Sequence, residues 1–163
     1  MATNIGTGPQ DIPLNQFLGE MAFMDKPPTH PYLEVRLTVD ITNYDGRQLN
    51  NTEVIYNQVD IDTVGGYNNT NGKYTIPERG IYYCIGSVYS NVNTFSQTWW
   101  LVNGTRANGC DWVREPASQF LQGTSIFYLN PGDTLGFKAY NNSNPNTIRQ
   151  SGNHSYMKIT KIS

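Results

Sequence analysis

The stretch GKYTIPERGIYY, residues 72–83, decides how the chain is expected to fold. Gly72 follows an asparagine in a typical turn pair, and the residues after it predict two short strand segments. Pro77 has no backbone N–H, so it must lie where no ladder hydrogen bond is needed. Gly80 permits a turn that is closed to other residues, and one ring of the pair Tyr82–Tyr83 packs inside the protein. These roles are structural, and none of them is catalytic.

On both sides of this stretch the hydrophobic pattern has a period of two, as in strands with one buried face. Val35, Leu37, Val39 and Ile41 alternate with polar residues, which predicts one continuous strand. Further strands are predicted at residues 53–62, 73–76, 81–90, 97–102, 120–129, 134–140 and 155–162, with a weaker one near 105–113. Because Asn-Gly, Gly-Gly and Pro-Gly turns separate these short strands, we predict an all-β protein, an antiparallel jelly-roll sandwich.

The composition suits a folded domain with a neutral polar surface. Of the 163 residues, 52 are Asn, Gln, Ser or Thr, whereas only 15% are charged. Three Trp, 11 Tyr and 6 Phe supply the apolar area that a core needs, which argues against a disordered chain. The net charge is −2 and there is no basic run or long apolar segment, so neither nucleic acid binding nor insertion into a membrane is expected.

The N-terminal part of the chain differs from the rest in composition and in the spacing of its apolar residues. Residues 1–10 are rich in Gly, Thr and Asn, and apolar residues between Leu14 and Met24 then recur at a helical spacing that could form a short helix after Pro13. Three prolines within residues 26–31 favour an extended spacer. We therefore divide the chain into an N-terminal arm with a proline-rich linker, residues 1–31, and a head, residues 32–163.

Two pairs of adjacent aromatic residues indicate a face that another molecule covers. Neighbouring side chains in a strand point to opposite faces, so only one member of each pair can enter the interior. The other member requires cover from a second subunit or a ligand, or else from a loop at the rim of the sandwich. The candidate interface residues are Tyr82, Tyr83, Trp99 and Trp100.

The order of the motifs resembles that of the complement-one-q globular-head and tumour-necrosis-factor jelly-roll family. Residues 72–83 are similar to its Gly-x-aromatic-x-x-Pro-x-x-Gly-x-Tyr-aromatic signature, and residues 101–104 look like its Asn-Gly hairpin. Residues 129–135 look like its Gly-Asp turn, and residues 155–159 are similar to its closing aromatic strand. The resemblance covers about residues 33–163. It implies a ten-stranded jelly roll that forms a homotrimer and serves as a binding head.

A second resemblance lies in the arm. Residues 4–25, NIGTGPQDIPLNQFLGEMAFMD, look like a segment of tail-fibre and other virion proteins of tailed bacteriophages. This resemblance implies a virion location after synthesis in the host cytoplasm, incorporation as three copies, and contact with other virion proteins through residues 1–25. The candidate attachment residues are Ile12, Pro13, Leu14, Phe17, Leu18, Met21 and Phe23.

Two loops of the head, residues 65–71 and 141–147, are polar and carry little charge. Such loops suit contact with a host-surface glycan or protein, although asparagine also favours turns that only face solvent. The candidate binding residues are Tyr67, Asn68, Asn69, Asn141, Asn142, Asn144 and Asn146.

No catalytic residue, cofactor or metal is predicted. His30 and His154 lie in the linker and near the last strand, and the chain has no nucleophile, phosphate-loop or zinc motif. Asp60 and Asp62 could offer oxygen ligands to calcium, but calcium takes six or more, and an acidic solvent-facing strand is the favoured interpretation.

Three functions remain open at this point. The first is a homotrimeric short fibre that is anchored by its arm and binds the host surface. The second is a capsid or collar decoration protein of the same architecture that binds no receptor. The third is a soluble ligand of the complement or cytokine type, against which the lack of a secretory signal after Met1 counts.

Overall fold

The computed structural model describes residues 29–47, 53–89, 95–107, 120–141, 146–150 and 154–163. Within these ranges the regular structure is β-strand throughout, which confirms the predicted all-β class. The predicted arm helix and the attachment residues between Ile12 and Phe23 lie outside the described residues. The strands are β1 (Tyr32–Arg36), β2 (Ile41–Tyr44), β3 (Gln58–Asp62), β4 (Tyr67–Asn68), β5 (Lys73–Thr75), β6 (Gly80–Tyr89), β7 (Phe95–Val102), β8 (Thr105–Arg106), β9 (Phe120–Leu129), β10 (Thr134–Asn141), β11 (Asn146–Ile148) and β12 (Tyr156–Lys161).

Two five-stranded sheets form the sandwich. The first sheet has the order β3-β1-β12-β6-β9, and the second sheet has the order β4-β5-β10-β7-β8. A short pair, β2 with β11, completes the described strands. Neighbouring strands are antiparallel in each pairing, and β12 lies between β1 and β6, so the two ends of the head share one sheet. This arrangement is the predicted jelly-roll sandwich.

Aromatic rings from the second sheet fill the space between the layers. Trp100 on β7 and Phe137 on β10 are fully buried, with ring centroids 5.0 Å apart. The first sheet makes room for them with two glycines that pair across β6 and β9, Gly86 and Gly123. The indole N–H of Trp100 donates to the carbonyl of Gly123 at 3.3 Å, so its polar atom is satisfied inside the core.

Residues 72–83 mostly take the roles predicted for them. Tyr74 and Tyr82 are fully buried, and Gly72 has a φ of +73° that favours glycine. Gly80 differs from the prediction. It begins β6, and its requirement is space: a β-carbon there would overlap the Lys161 side chain and the Ser163 carbonyl.

Two of the motifs that carry the family resemblance contact each other. The Asn103 amide donates to the Asp133 carboxylate at 2.8 Å, and the backbone N–H of Thr134 donates to the Asn103 side-chain oxygen at 2.8 Å. Asp133 also accepts from the N–H of Asn130 at 2.8 Å. The hydrogen bonds from Asn103 and Asn130 lower the pKa of Asp133. The Asn-Gly hairpin and the Gly-Asp turn therefore fix one another at one end of the second sheet.

The continuous strand predicted from Val35 to Ile41 is wrong. Strand β1 ends at Arg36, and β2 begins at Ile41 in a different sheet. The intervening turn is held by hydrogen bonds from the backbone N–H of Thr38 to Asn57, at 2.9 Å, and from Gln150 to Asp40, at 2.9 Å. The turn leaves the side chain of Val39 64% exposed. Side-chain hydrogen bonds have overridden the two-residue period here.

The strand predicted at residues 53–62 is shorter than expected, because β3 comprises only Gln58–Asp62. The preceding residues still bury Val54 and Tyr56, and the N–H of Val54 donates to the Phe137 carbonyl at 2.7 Å. This segment therefore runs beside β10 just beyond the residues of β10 that pair with β5.

Gly86→Ala should destabilise the head by about 1–3 kcal/mol, because the new methyl group overpacks the core. Its β-carbon would overlap the ring of Phe137, which is itself fully buried and cannot withdraw. Urea unfolding of Gly86→Ala, Phe137→Leu and the double variant measures this. We expect the double variant to lose less stability than the sum of the single losses, because leucine removes the ring atoms. Additive losses would contradict the overlap.

Candidate interface on the outer face of the first sheet

The first sheet has one face in the core and one face that looks outward, which we call the outer face. On β9 the side chains alternate: Leu121 and Leu129 are buried, whereas Ile126 and Tyr128 are 63% and 59% exposed. The period of two therefore continues through β9, but apolar residues occupy both faces. An outward row of this kind requires an explanation that core packing does not supply.

The outward residues of β6 extend this row into a patch. In the register of the two strands, Ile81 pairs with Tyr128 and Tyr83 pairs with Ile126. Cross-strand aromatic and β-branched pairs of this kind stabilise a sheet, and here they also form one contiguous surface. We call these four residues the apolar patch. Contiguous apolar surface of this kind marks an interaction site more often than single exposed side chains do.

Ion pairs occupy the other half of the outer face. The ammonium of Lys158 on β12 lies 2.8 Å from a carboxylate oxygen of Glu34 on β1, and the Tyr32 hydroxyl donates to the other oxygen at 2.9 Å. Arg36 on β1 lies 2.8 Å from the carboxylate of Asp60 on β3. We call the groove of about 550 Å³ that these two ion pairs line, with Ile85 and Tyr156, the charged cleft.

The electrostatics of the charged cleft favour its ionised state. Burial opposes ionisation of Glu34, but hydrogen bonds from Lys158 and Tyr32 outweigh it and place the pKa of this carboxyl below its ordinary value. The hydrogen bond to Glu34 likewise raises the pKa of Lys158. In a single chain these side chains are partly exposed, so each pair contributes at most about 1 kcal/mol. The same pairs would matter more if water were excluded from the cleft.

The four predicted interface residues lie in three different places. Tyr82 and Trp100 are fully buried in the core of one chain and have no surface to offer a second chain. Tyr83 belongs to the apolar patch on the outer face of the first sheet. Trp99 lies on the outside of the second sheet. The adjacent-pair argument is thus confirmed in its geometry, since one member of each pair enters the core, while an interface role stays a prediction.

Trp99 receives its cover from its own chain. Its ring stacks on Tyr140 at a centroid distance of 4.6 Å, and the guanidinium of Arg106 lies 4.5 Å from the ring centroid. The ammonium of Lys138 lies 5.5 Å from the same ring, and it has no hydrogen-bond partner among the described residues. Burial lowers the pKa of Lys138, opposed by the charge of Glu53. Trp99 is thus covered by its own chain. Of the four predicted interface residues, Tyr83 is the one whose side chain stays partly exposed.

The two candidate binding loops lie at different levels of the sandwich. Asn68 pairs with Lys73, and Lys73 pairs with Gly136 on β10. Asn141 ends the same strand five residues farther on, which is about 17 Å at 3.4 Å per residue. Asn146 begins β11, and Asn142 and Asn144 lie outside the described residues. The described members of the two sets therefore lie apart.

The first loop is also partly occupied with internal contacts. The Tyr67 hydroxyl accepts from the N–H of Tyr56 at 2.9 Å and donates to its carbonyl at 3.1 Å. Asn68 and Asn69 are both exposed, and the Asn68 side chain accepts from the N–H of Thr70 at 2.9 Å. Of the three candidates in this loop, Tyr67 is the least exposed.

Asp60 and Asp62 serve separate structural roles. Asp60 pairs with Arg36, while Asp62 accepts from the backbone N–H groups of Gly65 and Tyr67, each at 2.9 Å. In the described ranges, no three His, Cys, Asp or Glu side chains gather closely enough to hold a metal ion. Nor does any helix there have the length and apolar character to cross a membrane.

The charged cleft and three of the four residues of the apolar patch, all but Tyr83, were not among the predicted site residues. Alternation within residues 120–129 already placed Ile126 and Tyr128 on one face, so the patch had a signal in the sequence. Glu34 and Lys158 are 124 positions apart, and only the pairing of β1 with β12 brings them together. No local pattern could have predicted that ion pair.

Comparison with solved structures identifies the fold. The globular domain of the zebrafish complement 1qA protein matches with a TM-score of 0.59 and 14% identity over 82% of this chain and 98% of that chain. Murine APRIL matches with a TM-score of 0.57 and 19% identity, over 82% and 100%. The Eiger TNF of S. frugiperda matches with a TM-score of 0.53 and 12% identity, over 82% and 93%.

Neither a protein-family model nor a curated protein matches the chain by sequence. At these identities the structural likeness establishes the fold. The described part of the chain is a jelly roll of the complement-1q and tumour-necrosis-factor type, as the motifs in residues 72–135 predicted.

Proposed function

We propose that the head associates with two further copies of itself through the outer face of the first sheet, and that the trimer is a binding head. The observation that carries this proposal is the apolar patch, in which Ile126 and Tyr128 remain 63% and 59% exposed in a single chain. The family that the motifs resemble implies a homotrimer, and the fold agrees with that family. We assign the head no catalytic step.

The charged cleft supports burial of the same face. A charge that leaves water needs a partner, because an unpaired buried charge costs several kcal/mol. Glu34 and Asp60 already have Lys158 and Arg36 as partners within one chain. A second copy can therefore cover this half of the face without supplying counter-charges.

The arm joins the head at one end of the sandwich, and β11 lies at the other end. This separation supports a head that is anchored at one end and binds a partner at the other. Tyr32, where the arm joins the head, pairs with Thr160, which lies level with Tyr83 on β6. Arg149, just beyond β11, bridges to Tyr89 at the other end of β6, about 20 Å away at 3.4 Å per residue. With the arm as the anchor, β11, which follows the predicted binding loop, would thus lie at the end of the head away from the anchor.

We further propose that the protein is a bacteriophage virion component, a short fibre held by its arm and presenting that loop to a host-surface glycan or protein. The support for this step is the resemblance of residues 4–25 to virion proteins. A decoration protein on the capsid or collar would use the same architecture and the same arm. A soluble ligand is the third candidate, because complement 1qA and APRIL share the fold of the head.

Gold labelling of purified virions with an antibody against residues 33–163 separates these roles. Label at the tail tip or collar supports the short fibre, and label spread over the head indicates decoration. Particles that bind no antibody would contradict the virion role and leave the soluble ligand as the better account.

Hydroxyl-radical footprinting of the unmodified chain tests burial of the outer face. In one chain Tyr128 is more exposed than Tyr67, which lies in the second sheet. A monomer would therefore oxidise faster at Tyr128. We expect the reverse order, because assembly covers the apolar patch and leaves Tyr67 as it is. Faster oxidation of Tyr128 at micromolar protein would contradict the proposed interface.

A further inference from the structure

The geometry points to an acid-labile assembly, in which protonation of Glu34 leaves Lys158 unpaired in the buried charged cleft and separates the copies. This inference rests on the proposed self-association, because it concerns the same face. It makes assembly depend on pH, which neither the fold nor the apolar patch does.

The charged cleft is continuous with the apolar patch. Ile85 lines the cleft, and it lies two residues from Tyr83 on the same outward row of β6. Lys158 pairs with Ile85 in the register of β12 and β6. A second copy that covers the apolar patch therefore also displaces water from the immediate neighbourhood of Glu34 and Lys158.

The charges around Glu34 balance only while its carboxylate is ionised. Two acidic and two basic side chains meet in the cleft, so its net charge is zero near neutral pH. Protonation of Glu34 changes that to +1 in each chain, and three such clefts then repel one another in a medium of reduced dielectric constant. The titratable and charged groups that face Glu34 are Tyr32 and Arg36 on β1, Lys158 and Tyr156 on β12, and Asp60 on β3, with Tyr83 on β6 beyond Ile85.

The sign of the pH dependence follows from the cost of an unpaired charge away from water. Lys158 and Tyr32 already hold the pKa of the Glu34 carboxyl below its ordinary value in one chain, so its protonation requires acid. In the assembly the cleft loses water, an unpaired Lys158 becomes more costly there, and the trimer takes up this proton less readily than the free chain does. Dissociation is therefore expected in acid, below the ordinary range of a glutamate.

Sedimentation of the full-length protein from neutral pH down to about pH 3 tests the inference, with circular dichroism recorded in parallel. We expect a trimer near neutral pH and smaller species in acid that keep their sheet signal. Glu34→Gln imitates the protonated state, so its dissociation constant near neutral pH should rise about tenfold or more. The matched control is Glu34→Gln combined with Lys158→Met, which removes both charges and keeps an acceptor for the Tyr32 hydroxyl.

The control variant should remain a trimer at the pH at which the natural protein dissociates. If it dissociates at the same pH as the natural protein, another group controls assembly and the inference is overturned. A natural protein that stays trimeric in acid overturns the inference and leaves the proposed function intact, whereas a monomer near neutral pH overturns both. If the natural protein loses its sheet signal together with its trimer, a lower midpoint for the control variant supports the inference and an equal midpoint overturns it.

Discussion

Ile126→Arg is expected to convert the protein to a monomer while leaving the fold of each chain unchanged. Ile126 is 63% exposed in one chain, so an arginine there costs the isolated head little. In an assembly the new cation would be buried beside Tyr83 without a counter-charge, at a cost of several kcal/mol in each of three interfaces. Light scattering behind a sizing column measures the mass, and circular dichroism confirms the fold.

The matched control for this variant is Val39→Arg. Val39 is 64% exposed and β-branched like Ile126, but it lies in the turn between β1 and β2, away from the outer face. We expect Val39→Arg to keep the mass of the natural protein. If both variants form trimers, or if both are monomers, the result would contradict assembly through the outer face.

Trp100→Ala is expected to cost about 3–5 kcal/mol of folding free energy, the usual range for deleting a buried tryptophan. Its ring is fully buried against Phe137 and Phe127, and its N–H donates to Gly123. Urea unfolding in the monomeric Ile126→Arg background gives the loss free of linkage to assembly. At that loss, the melting temperature should fall by about 10 °C or more.

Trp99→Ala provides the comparison, because the two tryptophans are neighbours of the same type. Trp99 is also buried, but its cover outside the second sheet comes from the side chains of Tyr140 and Arg106, which can move, so its removal should cost less than that of Trp100. A larger loss for Trp99 than for Trp100 would mean that β7 is displaced by one residue. Such a slip exchanges the two faces of a strand and would contradict the described core.

Much of the fold could be predicted from local patterns. Strand β9 occupies the predicted residues 120–129, and β6, β7, β10 and β12 agree with their predictions within two residues. These strands have long alternating runs between strong turns, so that local pattern and tertiary packing agree. The prediction from Val35 to Ile41 was wrong because groups remote in sequence, the Asn57 side chain and the Gln150 backbone N–H, stabilise a turn within an alternating run.

The candidate site was harder to predict, for two physical reasons. Alternation shows that one residue of an adjacent pair faces outward, but it does not say which, so Tyr82 and Trp100 joined the interface prediction although both are buried. The charged cleft depends on the order of strands in the first sheet. That order places β1 beside β12 and β3, and only then do Glu34 and Arg36 meet their partners.

The mass of the unmodified full-length chain in solution at micromolar concentration tests the central claim most directly. Sedimentation equilibrium should give three times the 18.4 kDa of one chain. A mass of 18.4 kDa would contradict the account, because the apolar patch would then remain exposed to water without a second copy to cover it.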